Sequence, residues 1–142
     1  HFILFVLSFS SAEGQQIIKC NKIRLLLNFN EIKNNFKGYE IADTVYILDV
    51  KKIIKSQCLF DLWNYNKAII SHDSILLKKA IKGISASSFK GNNNYFVFDN
   101  YRVVRSSVFF TIYRAATNEF INCRVKKIGS EYRFYKLDSG VY

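Results

Sequence analysis

The chain has 142 residues, with 21 Lys and Arg against 11 Asp and Glu, a formal net charge of +10. That length fits one domain. A hydrophobic fraction of 49% and an aromatic fraction of 16% supply the side-chain area for a core that disordered chains lack, and zero Pro with 6 Gly excludes collagen-like and proline-rich linker architectures.

The run Phe2-Ile3-Leu4-Phe5-Val6-Leu7 passes into Ser8, Ser10, Ser11 and Ala12, the order of an apolar signal-peptide core followed by a small-residue cleavage site. Residues 1–14 are read as the remnant of a secretory signal, cleaved near Ala12-Glu13, and 15–142 as a single domain. A buried N-terminal strand is the alternative, since six apolar residues are also strand length. The run falls far short of the ~20 residues of a membrane span, and each later apolar run is interrupted by Lys, Arg, Asn or Asp. A secreted protein with no membrane segment is expected.

Cys20, Cys58 and Cys123 suit an oxidising compartment. The expected bridge is Cys20 to Cys123, tying the start of the domain to its last part, with Cys58 a buried free thiol. No CxxC pair occurs and the only histidines are His1 and His72, so neither a metal nor another cofactor is expected.

From Ile17 to Leu27, Ile and Leu broken by Lys and Arg predict one or two short strands. Asn28-Phe29-Asn30 offers a helix cap, with Ile32 and Phe36 at helical spacing before Gly38. Ile41 to Val50 is largely β-branched or aromatic and predicts a strand, as does Cys58 to Ile70. Asp73 can cap a helix with Leu76, Leu77, Ala80 and Ile81 on one face and Lys78, Lys79 and Lys82 on the other. The polar passage Ser85 to Asn94 reads as a loop. Five strands then follow one another: Tyr95 to Asp99, Tyr101 to Arg105, Val108 to Arg114, Glu119 to Val125 and Tyr132 to Leu137. Their short breaks predict antiparallel neighbours. The expected fold class is α+β, a short early helix on a central antiparallel sheet.

An early Cys, a short helix, the Gly38-Tyr39 step, the segment Leu62-Trp63-Asn64-Tyr65-Asn66, the segment Tyr95-Phe96-Val97-Phe98-Asp99 and a late Cys in Phe120-Ile121-Asn122-Cys123 follow in a suggestive order. The order resembles that of the ribonuclease-like secreted effectors of powdery mildew fungi, themselves similar in fold to fungal guanyl-specific ribonucleases. The resemblance covers roughly Ile17 to Val125. It implies a ribonuclease-like fold, delivery to a host plant cell, a host protein or immune receptor as partner, and RNA as a further ligand. Matched to the enzymes' motifs, the chain has Asn64 for the catalytic Glu, Tyr95 or Phe96 for the Arg and Tyr113 for the last His, so the resemblance implies a catalytically dead scaffold. One departure is Ile18, where the effectors usually carry an aromatic residue.

Chemistry leads the same way. Cleaving RNA through its 2′-hydroxyl needs an acid and a base with pKa values near the working pH. His72 precedes the capping Asp73 and reads as a surface loop residue. Asp43 with Asp49, and Asp61 with Asp73, cannot be placed on a common cleft, and no glycine-rich phosphate loop is present. No enzyme is expected.

The late strands interleave cations with aromatics, as in Tyr101-Arg102, Tyr113-Arg114 and Tyr132-Arg133-Phe134-Tyr135, a composition that can stack unpaired bases and contact their phosphates. Arg102, Arg105, Arg114 and Arg124 are the expected RNA-binding residues. The plainer reading is that strand alternation sends aromatics to the core and cations to water. The function expected is a secreted, inactive virulence effector that works by binding; the alternatives are an active secreted ribonuclease with an unrecognised site, or a secreted interaction protein of another parasite.

Overall fold

The structure is a computed structural model and describes residues 17–36, 44–55, 58–63, 66–73, 75 and 95–141. The signal-like run and the loop from Ser85 to Asn94 lie outside the described residues. So does all but the start of the helix expected after Asp73, where the Asp73 carboxylate accepts the Ile75 amide at 2.9 Å.

Two short helices lead the domain, α1 (Cys20–Leu27) and α2 (Asn30–Asn35). The first replaces the strands expected there. Its buried residues Ile23, Leu26 and Leu27 recur at the i, i+3, i+4 spacing of one helix face, a period that the intervening Lys and Arg obscure in the sequence. Asn28 closes it. The Asn28 side chain donates to the Arg24 carbonyl at 2.7 Å and the Asp61 carbonyl at 3.0 Å, and accepts the Trp63 amide at 2.8 Å. The Trp63 indole donates to the Leu27 carbonyl at 2.9 Å, so the helix end, whose last carbonyls lack intrahelical donors, is satisfied by the hairpin beside it. Asn28 therefore ends α1 rather than capping α2.

Seven strands follow: β1 (Thr44–Asp49), β2 (Leu59–Leu62), β3 (Asn66–Ser71), β4 (Tyr95–Val104), β5 (Ser107–Arg114), β6 (Glu119–Ile128) and β7 (Glu131–Val141). They form one sheet in the order β2-β3-β1-β4-β5-β6-β7. β1 is parallel to both β3 and β4, while β4 to β7 is an antiparallel meander. Between Asp99 and Arg102, β4 has one residue more than β5, with Asn100 in the left-handed region. β7, on the sheet edge, bulges likewise between Lys136 and Asp138.

The fold expected from the sequence is thus corrected. The molecule is mostly β, a curled, mixed seven-stranded sheet with two short helices, and not a ribonuclease-like helix on a central antiparallel sheet. The reason lies in β1, where Val45, Ile47, Leu48 and Asp49 are all buried. A strand covered on both faces is characteristic of parallel pairing. Residues 72–94 between β3 and β4 are also long enough for the crossover that parallel strands need. Short breaks mark antiparallel pairing from β4 onward and in the β2–β3 hairpin, where the single strand expected over Cys58 to Ile70 is two.

The helices cover one face of the sheet, here called inner. On it Ile23, Leu26, Leu27 and Ile32 meet Ile47, Phe96, Phe98, Phe110, Ile121 and Val125 in one apolar cluster. Phe36 stands edge-on to Phe96 at 5.1 Å and Phe29 packs on Phe134 at 5.2 Å.

The disulfide joins Cys20 to Cys58, with Cα atoms 5.3 Å apart, and Cys123 is a buried free thiol. The expected Cys20–Cys123 bridge is corrected. Cys20 heads α1 beside the β2 edge, held there by a backbone bridge between Ile18 and Ile54, whereas Cys123 lies in the middle of β6, five strands away in the sheet. The bond and the burial predict a thiol count. Burial pushes the Cys123 thiol well above its usual range, and the thiolate is the reactive form. Native, unreduced protein should therefore resist iodoacetamide and take up one equivalent after unfolding in guanidinium; fast native labelling, or labelling at Cys20, would contradict this pairing. The disulfide is compatible with a secreted protein, and among the described residues no helix is long and apolar enough to cross a membrane.

Candidate nucleic-acid interface

Alternation along β5 sets the two faces of the meander. Val108, Phe110 and Ile112 join the inner core, so Ser107, Phe109, Thr111 and Tyr113 belong to the outer face. Residues directly opposite on neighbouring strands share a face, and the registers build the outer face in rows. Arg102, Phe109, Arg124 and Tyr135 form one row across β4, β5, β6 and β7. Val104, Ser107, Lys126 and Arg133 form the next.

The first row is a ladder of alternating cations and rings. The Arg102 guanidinium lies 4.1 Å from the Phe109 ring centre, and that of Arg124 lies 5.8 Å from Phe109 and 5.5 Å from Tyr135. Such contacts contribute about 0.5–1 kcal/mol each at exposed sites. They also flatten the side chains against the sheet. The Arg124 Nε donates to the Ser107 hydroxyl at 3.1 Å, which fixes the guanidinium plane between the two rings. Arg102 and Arg133 are exposed, Phe109, Arg124 and Lys126 half-buried, and Tyr135 keeps 39% of its surface open. Four cations and two rings thus share a surface whose two rows contain no carboxylate. Acids begin one row further on in both directions, at Glu131 opposite Ile128 and at Asp99 and Asp138 opposite Thr111 and Asn122, where Thr111 joins Asn100 and Asn122 in a hydrogen-bonded chain.

Of the four arginines expected to bind RNA, the structure brings Arg102 and Arg124 together around Phe109. Arg105 sits in the two-residue turn between β4 and β5, in the left-handed region. Arg114 is fully buried, its guanidinium 5.9 Å from the Phe96 ring centre on the inner face, and its place in a binding face is corrected. Its parity with Phe110 and Ile112 is the physical reason, and that parity is visible in the sequence. Phe109 was missed, and Tyr135 was read only as one aromatic in the run Tyr132 to Tyr135. Sequence neighbours such as Tyr101 and Arg102 point to opposite faces, and the ring partner of Arg102 comes from across the hairpin instead.

A titratable pair also emerges that no sequence spacing indicated. The His72 Nε2 lies 2.9 Å from the Asp49 carboxylate, with 28% of the His72 side chain exposed and none of Asp49. The same Asp49 oxygen accepts the Ile54 amide at 2.7 Å. Asp49 so ties β3 and the strand-like segment after β1 to its own strand, a structural task. Of the carboxylates considered for acid–base work, Asp61 and Asp73 are exposed and Asp43 lies outside the described residues. A cavity of about 730 Å³ beside α1 is lined by Asn21, Arg24, Leu25, Asn28, Phe29 and Asp61, far from His72 in the fold. Among the described residues no three His, Cys, Asp or Glu side chains group to hold a metal. Compared with known proteins, the chain matches no family model, no curated protein and no solved structure.

Proposed function

We propose that the protein is a secreted, non-catalytic effector that works in a host by binding, and that its outer sheet face holds single-stranded RNA. The observation that carries this reading is the exposed ladder of Arg102, Phe109, Arg124 and Tyr135 flanked by Lys126 and Arg133. Rings on an open sheet face stack unpaired bases whatever their identity, and the cations beside them take the phosphates. A double helix would offer its bases to neither ring.

A fluorescence anisotropy titration with a labelled single-stranded RNA tests this reading. Four cations on phosphates imply a log–log salt slope near about −3, so affinity should fall on the order of 50-fold between 50 and 200 mM salt. The Arg102→Gln/Arg124→Gln variant should lower the affinity and flatten that slope by about half. No binding at 50 mM salt would remove RNA as the ligand and leave a host protein as partner. Total RNA incubated with the purified protein should stay intact with or without a chelator, and its cleavage would overturn the non-catalytic reading.

A further inference from the structure

Beneath the β4–β5 turn, on the inner side of the sheet, lies a cavity of about 190 Å³. Three cations surround it: Lys22 from the first turn of α1, Arg105 from the turn and Lys127 from β6. Its floor is apolar, made of the buried Leu26, Val108 and Val125. Tyr132 forms a wall, with the Lys127 ammonium 5.7 Å from its ring centre. Among the described residues no carboxylate lines it.

We infer that this cavity is an end pocket for a phosphorylated terminal nucleotide, the base lying against Tyr132 and the apolar floor and the phosphate among Lys22, Arg105 and Lys127. Three features favour that ligand chemistry. Three lysine and arginine residues on the lining, with no acid beside them among the described residues, fit a phosphate monoester, which carries nearly two negative charges at neutral pH. The floor and ring fit a flat, weakly polar body beside that charge. The volume lies below the roughly 300–1,000 Å³ of sites for drug-sized ligands, which limits the occupant to about one nucleotide.

Position links the pocket to the outer face, and the assignment to a strand end rests on the RNA reading above. The turn Arg105-Ser106 is the rim between the two faces. Val104 and Ser107 on one side of it border the row of Lys126 and Arg133, and Ser106 on the other lines the cavity. A strand laid along the outer rows toward this rim would reach the pocket with its last nucleotide.

The test uses the full chain, labelled for amide NMR, with adenosine monophosphate as the first probe. Addition should move the signals of residues 105–108 and 125–132, while adenosine at the same concentration should not. Short RNAs of one sequence, bearing a 5′ phosphate, a 3′ phosphate or neither, form the second arm. One phosphorylated form should bind about tenfold tighter than the hydroxyl form, and Lys22→Gln/Lys127→Gln should bring the ratio between the two forms to about one. The pocket is overturned if adenosine monophosphate moves no signal there, or if all three RNAs bind alike. Should the nucleotide seat in the pocket while Arg102→Gln/Arg124→Gln leaves RNA affinity intact, the outer-face reading fails and the pocket stands.

Discussion

Arg114→Ala should cost the protein about 3 kcal/mol or more, whereas Arg102→Ala should cost less than about 1 kcal/mol. The two residues are both cations of the meander, so the contrast comes from the faces they occupy. Arg114 has no exposed surface and ends the inner row of Val108, Phe110 and Ile112 on β5. Truncating it leaves a void beside Phe96 as large as that from a long apolar side chain, and the lining atoms lose their contacts outright. Arg102 stands in water over Phe109, and its truncation forfeits one cation–ring contact. Urea unfolding at constant m reads the difference as a shift of midpoint. Equal midpoints for the two alanine variants would mean that Arg114 is not buried as described.

The Cys20→Ser/Cys58→Ser variant should lose about 4 kcal/mol, the loop-entropy expectation for a bridge closing a loop of this length. The sequence separation is 38, and the loop contains α1, α2 and β1. For a domain whose whole stability is of the order of 5–15 kcal/mol, that is a large share. Loss should appear first where the bridge holds two segments together, at the Ile18–Ile54 pairing, in which the Ile18 amide donates to the Ile53 carbonyl at 2.6 Å and the Lys55 amide to the Ile18 carbonyl at 3.1 Å. Hydrogen exchange of these amides should quicken more than that of the β5 and β6 amides. Removing Cys123 as Cys123→Ala should leave the bridge and its contribution intact; a similar collapse of Ile18 protection in that variant would point to the wrong cysteine.

The meander was largely legible in the sequence because its strands carry β-branched or aromatic residues, which local propensity records well, but Tyr95 to Asp99 and Tyr101 to Arg105, read as two strands, are the single β4, whose irregularity between Asp99 and Arg102 looks like a break. The first half was not. In α1 only Ile23, Leu26 and Leu27 carry the helical period, too few for a short window to separate from strand. The parallel core depends on pairing between β1 and strands about 20 and 50 residues later, which no local pattern encodes. The site divides in the same way. Arg102 and Arg124 were found by composition, Arg114 was misplaced by ignoring strand parity, and Phe109 and Tyr135 needed the cross-strand register. The Asp49–His72 contact spans 23 positions and joins two strands whose adjacency only the fold supplies.

Edge strand β7 is the longest in the sheet at 11 residues, and a long open edge is a template on which further chains can grow into fibrils. Leu137 interrupts it as the extra residue opposite β6, so a straight incoming strand would lose register halfway. Glu131, Arg133, Lys136 and Asp138 are exposed along the same edge, and stacking identical copies in register would set each charge against its own kind. A basic, aromatic-rich chain is thereby kept from polymerising on its own edge strand.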